Sequence, residues 1–286
     1  LHNYTLYLAL QILFSILINI VCSIVASNKY PFINGENQIC PEEKKAIWSN
    51  IKDMFSYQVG NVIVNHTDNI LISVLISTVT VGLYSNYSMV VTAVSTFAAL
   101  VFVSVQASIG NLAAKETAER QYDVFKNLSI IGFCIVSFAT VSFITLFQDF
   151  IEILYTADYL LDFNVVIVCS LNFYMVNILQ PVYCYRYTVG LFKQTRRVML
   201  YTALANVILS IAFGKIWGLF GILIATFISR LITNFWYEPM ILYKIYFHKS
   251  PIEYFKEQAT NAFLTFLMAG ILIGFSTMLN GVNIYT

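Results

Sequence analysis

Long apolar runs, broken at intervals by short polar stretches, dominate the chain and predict membrane-spanning helices. The first covers Tyr4 to Ala26 and is followed by a polar loop with Pro31, Pro41 and Glu42 to Lys45, where Trp48 suits an interfacial anchor. From Asn69 to Ala114 no residue is charged. At about 1.5 Å per residue that run far exceeds a hydrocarbon core of about 30 Å, so it must fold back. The β-branched residues of Thr78 to Gly82 mark the turn, giving spans Ile51–Ser77 and Gly82–Ala107, with Gly110 and Asn111 resembling a helix stop. The remaining spans are Asn127–Phe147, Phe163–Tyr187 (kinked by Pro181), Val198–Phe213, Leu219–Leu242 and Ala259–Leu279. That makes about eight crossings of an all-α polytopic membrane protein.

Charge placement supports this count. All but three of the 16 basic residues fall in alternate loops, as the positive-inside rule requires of cytoplasmic segments. The exceptions are Lys215, on the opposite side, and Arg186 and Arg230, within spans. The segment from Asp149 to Asp162 carries only acids. Both chain ends then face away from the cytoplasm. With Leu1 first and no basic n-region, the chain reads as a piece of a longer polypeptide with an odd number of spans upstream.

A composition of 58% hydrophobic and 11% charged residues fixes the same class, and a net charge of +1 without a basic cluster argues against nucleic acid. The cysteines form no CxxC pair, and His2, His66 and His248 are scattered, so neither metal nor cofactor is expected and no catalytic triad stands out.

Two polar stripes carry the chemistry. Asn61, Asn65, Asp68 and Asn69 share one face of the second span, where a carboxylate at membrane depth marks either a ligand, ion or proton site or an interhelical ion pair. In the seventh span Thr226, Arg230, Asn234 and Glu238 recur every four residues. Arg230 lies too deep to snorkel, whereas Arg186 and Glu238 lie near the cytoplasmic end and are expected to reach the interface. Arg230 needs a partner: Asp68, an anionic ligand, or both in alternation. Around the Pro181 kink, Asn177, Gln180 and Cys184 share a face.

The motifs DNILIS at Asp68–Ser73, VGLYSNY at Val81–Tyr87, SIGNL at Ser108–Leu112, and NVILSI with GLFGILIAT between Asn206 and Thr226 resemble the polysaccharide biosynthesis exporters. These belong to the multidrug/oligosaccharidyl-lipid/polysaccharide flippase superfamily, whose MATE-like fold has two six-helix lobes around a central cavity. The resemblance implies a flanking helix at 1–26 (the end of a missing first lobe), a cytoplasmic loop at 27–50, the second lobe at 51–247, and an additional, incomplete C-terminal helix at 248–286. It implies a flippase, not an enzyme, moving undecaprenyl-diphosphate-linked oligosaccharide across a bacterial inner membrane for O-antigen, capsule or other surface polysaccharide. Its partners would be the lipid-linked oligosaccharide, membrane lipid, other polysaccharide assembly proteins and its own missing N-terminal helices, without which the chain should not transport. Arg230, with Arg186, would contact the diphosphate; Asn65, Asn69, Asn86, Asn177, Gln180 and Asn234 would contact sugars. Three rivals remain: a drug or cation antiporter of the superfamily using Asp68; a membrane-embedded polysaccharide enzyme, for which the external segments are short; and a purely structural subunit, for which paired polar stripes of opposite charge are a poor expectation.

Overall fold

The computed structural model describes residues 4–30 and 40–280, all of them in helices or the short turns between them. His2, Pro31 and the last six residues lie outside that range. Six segments are long and apolar enough to cross a membrane: Thr5–Lys29, Thr78–Lys115, Ala118–Leu154, Phe163–Val189, Phe192–Phe247 and Ile252–Phe275. This is the architecture of a multi-pass membrane protein. The chain divides into two compact units, Leu1–Trp48 and Ser49–Thr286. The first contains α1 (Tyr4–Lys29), whose side chains are almost uniformly exposed and apolar, as lipid contact requires.

From α2 onward the helices outrun the expected spans. α2 (Pro41–Leu75) begins ten residues before Ile51, because Pro41 fits a first helical position and Glu42 and Glu43 complement the helix N-terminus. The fold-back falls at Ile76 and Ser77, not at Thr78 to Gly82. Ser77 caps α3 (Thr78–Lys115) by accepting from the Thr80 N–H at 3.0 Å, so Gly82 lies inside the helix. Nor do Gly110 and Asn111 stop α3. It ends at Lys115 with Glu116 as its C-cap, and Thr117 caps α4 (Ala118–Leu154). At 38 residues α3 is roughly 57 Å long, so its ends stand clear of any hydrocarbon core.

Pro181 acts as its chemistry demands. The helix breaks at Ile178 and Leu179 between α5 (Phe163–Asn177) and α6 (Gln180–Val189), because proline cannot donate back to Asn177 and sits instead in the first turn of α6. A single-turn α7 (Phe192–Thr195) then leads to α8 (Val198–Ile232).

α8 is a helical hairpin. Gly218 has φ 60° and ψ −134°, and the arms 198–217 and 219–232 run back on each other. Asn206 reaches Thr226 at 2.8 Å, and the Thr202 and Thr233 hydroxyls meet at 2.7 Å. A Cβ on Gly221 would stand 2.1 Å from the Phe213 carbonyl oxygen. Backbone cannot yield as a side-chain tip can, so Gly221→Ala should splay the arms at a cost of at least about 1–3 kcal/mol. The expected result is loss of the monodisperse peak in fluorescence-detected gel filtration, with Gly270→Ala, which meets nothing, as the silent control.

The second arm does not continue to Leu242 as periodicity suggests. Thr233 leaves helical geometry (φ −119°, ψ −92°), separating α8 from α9 (Asn234–Ile241), which runs into a π-helical turn, Leu242–Phe247. α10 (Ile252–Asn280) closes the unit against α4, with Ser137 and Thr265 hydroxyls 2.6 Å apart.

Contacts sort the two ends of this unit. At one, Asp53 binds Arg196, Lys126 meets Glu257, and Lys249 lies over the Tyr122 ring, beside a buried aromatic cluster of Phe125, Tyr185, Tyr243, Phe247 and Tyr254. At the other, Tyr87 donates to Gln148 and accepts from the Leu161 N–H, tying α3 and α4 to the acidic connection. Basic residues thus gather at one end, as their loop alternation predicts.

Candidate functional site

Between α2, α3, α5, α6 and α8 lie two adjoining chambers of about 600 and 440 Å³. Both are lined by Asn65, Val176, Gln180 and Arg230, so these residues stand at the junction. The larger chamber adds Asp68, Asn69, Tyr84, Ser88, Asn172 and Asn177; the smaller, nearer the basic end, adds Tyr57, Asn61, Gln106, Tyr183, Arg186 and Tyr187. Such a concentration of amides, hydroxyls and charge inside an apolar bundle is what a polar ligand needs at membrane depth.

Arg230 is 4% exposed, yet no carboxylate oxygen among the described residues lies within 4.0 Å of it. One guanidinium N–H donates to the Asn65 side-chain oxygen at 2.8 Å, and its Nε–H has no protein partner. Asp68 is not its bridge. The carboxylate accepts from the Thr226 hydroxyl at 2.9 and 3.0 Å, and Thr226 in turn accepts from the Asn206 amide at 2.8 Å. The predicted pair therefore shares a chamber without forming a contact. A buried guanidinium with a spare donor and no carboxylate in contact is suited to hold an anion.

Arg186 and Glu238 do not reach the interface as expected. Both are buried, and their charged atoms lie 3.2 Å apart. Tyr57 donates to the other Glu238 oxygen at 2.8 Å, and the Arg186 guanidinium lies 3.8 Å from the Tyr57 ring centre and 4.5 Å from that of Tyr187. The pair bonds inward because the Thr233 break swings α9 out of line with α8, and Glu238 leaves the Arg230 stripe.

The amide candidates separate. Asn65, Asn69, Asn177 and Gln180 line the chambers. Asn177 spends its amide on Ser95 and the Phe173 carbonyl. Asn234 is buried against the Tyr183 hydroxyl at 3.0 Å and lies outside the lining. Asn86 is absent from it too: it lies about 200° around α3 from both Tyr84 and Ser88, which face the larger chamber. Asn206 and Tyr57 escape sequence reasoning. The first is a lone amide in an apolar run and the second an unremarked tyrosine; only their four-residue offsets from Ser210 and Asn61 hint at a face.

Fold and site together define a multi-pass membrane protein, helical throughout its described residues, with a polar cavity in which Arg230 touches no described carboxylate. No family model, curated protein or solved structure matches the chain.

Proposed function

We propose that the protein is a flippase for a lipid-linked oligosaccharide carried on a diphosphate, and that the Arg230 cavity receives the polar head. The observation that carries this reading is the buried, carboxylate-free guanidinium at the junction of two amide-lined chambers. A diphosphate and sugars cannot cross hydrocarbon unaided, and this cavity offers cationic and amide donors while the lipid tail stays in the bilayer. Asn65 and Asn69 are exposed at membrane depth on the cavity side. A second lobe covering that face, as in the exporters, would complete the cavity and allow alternating access. With the Gly218 reversal and α2 counted as crossings, the topology has eight spans, basic loops in the cytoplasm, in a bacterial inner membrane.

Native mass spectrometry of the detergent-solubilised protein tests the headgroup assignment. Prenyl diphosphate should bind better than the prenyl alcohol of equal length, and the preference should vanish in Arg230→Gln. Equal binding of the two lipids would exclude the assignment.

The orientation has its own test. In a background lacking the five native cysteines, single cysteines at Lys193 and Lys249 should resist an impermeant thiol reagent on intact cells, while one at Asp158 should react. The opposite pattern inverts the topology.

A second reading is favoured by Asp68, Thr226 and Asn206. A buried carboxylate without a cationic partner within 4.0 Å among the described residues, beside an Asn206 side-chain oxygen with no described partner, suits proton or cation coupling in an antiporter of the same superfamily. Ion-coupled efflux of a cationic dye, lost in Asp68→Asn, would favour it over the flippase.

A further inference from the structure

Apart from the cavity, a groove of about 520 Å³ opens on the outer surface of the second unit, between the start of α8 and α9. Its walls are Val198, Tyr201, Ile232 and Met240, with Trp236 and Tyr237, and Arg197 is at its mouth. The groove lies at the Thr233 break, with Ile232, Thr233 and Trp236 among its lining.

Three features point to one kind of occupant. Arg197 is exposed, and no carboxylate oxygen among the described residues lies within 4.0 Å of it. Tyr201 and Trp236 are 60% and 47% exposed, as amphipathic rings are where hydrocarbon gives way to headgroups. The groove lies at the basic end, beside the Asp53–Arg196 pair, with Lys193 one turn before Arg197. A cation at headgroup level above an apolar trough matches a phosphate above acyl chains.

We infer that this groove binds an anionic phospholipid of the basic-side leaflet, its phosphate on Arg197 and an acyl chain along Ile232 and Tyr201. The site is independent of what the cavity carries. It is a place for membrane lipid and not for transported cargo, because it opens outward and is not among the residues lining either chamber.

Trp236 serves as the probe, once Trp48 and Trp217 are replaced by phenylalanine in the full protein reconstituted in vesicles. Brominated phosphatidylglycerol should quench Trp236 with an apparent affinity about fivefold above brominated phosphatidylcholine, the selectivity that one near-surface arginine supplies. Arg197→Gln should equalise the two lipids, and Arg197→Lys should keep most of the preference. Lys193→Gln should leave it intact. Equal quenching in the unmodified groove would overturn the proposal, as would a preference that survives Arg197→Gln. Equal losses in Arg197→Gln and Lys193→Gln would also overturn it, since they would show diffuse attraction to a charged surface.

Discussion

Arg230→Ala is expected to reduce export of the lipid-linked oligosaccharide between about tenfold and a hundredfold while protein accumulates at near-normal levels. The range follows from losing a hydrogen-bonded contact to an anion, worth about 1.5–3 kcal/mol. Protein levels should hold because Arg230 has no carboxylate to strand: its described side-chain bond is to the neutral amide of Asn65. For the same reason Asp68→Asn should not rescue Arg230→Ala. Asp68 is already satisfied by Thr226 and does not depend on the arginine for a hydrogen bond. Arg230→Lys should retain part of the activity, keeping the charge but losing the planar fork that can grip phosphate oxygens in pairs. Recovery of export in the double variant would show that the two residues are a packing bridge after all.

The opposite pattern is expected at Glu238. Removing this carboxylate leaves the Arg186 guanidinium buried without a carboxylate in contact among the described residues, because the pair is closed to solvent and Tyr57 is hydrogen-bonded to Glu238 itself. Glu238→Ala should destabilise the protein by about 3–5 kcal/mol, read as an early loss of folded protein in an unfolding titration. Arg186→Met with Glu238→Leu should recover much of that stability, since a buried ion pair is often replaceable by apolar groups of similar size. If instead the single variant is as stable as the parent, Arg186 has another anion and its place in the smaller chamber must be redrawn. The contrast separates the two buried arginines: Arg186 has the Glu238 carboxylate at 3.2 Å, and Arg230 has none within 4.0 Å among the described residues.

The sequence made the helical class, the burial of the isolated charges Asp68 and Arg230, and the Pro181 break legible, because each depends on local chemistry. Membrane-length apolar runs, a charge within one, and a proline without an N–H need no tertiary information. Helix starts at Pro41, Ser77 and Thr117 were equally local. They were obscured by weighing Gly82 and Gly110 as breakers, although glycine is tolerated inside membrane helices. What could not be read was partnership across helices. The four-residue stripe from Thr226 to Glu238 assumes one straight helix, but Thr233 breaks it with no proline or glycine nearby, held by hydroxyl contacts to Ser229 and to Thr202 on the other arm. Arg230 and Glu238 therefore do not share one straight face: Arg230 bonds Asn65, whereas Glu238 bonds Tyr57 and pairs with Arg186. Asn86 fails for a geometric reason, since the VGLYSNY motif says nothing about which side of α3 meets the cavity.

The central claim is that this cavity carries a diphosphate-linked glycan from one leaflet to the other, and translocation in vesicles tests it most directly. The protein, together with a second lobe covering the cavity face, is reconstituted with a lipid-diphosphate-linked oligosaccharide initially confined to the inner leaflet, and arrival outside is followed with an impermeant lectin. The account predicts protein-dependent appearance of the glycan that falls to the rate of empty vesicles in Arg230→Ala. Translocation that proceeds equally well with Arg230→Ala, or no translocation above empty vesicles by the intact protein, would contradict it.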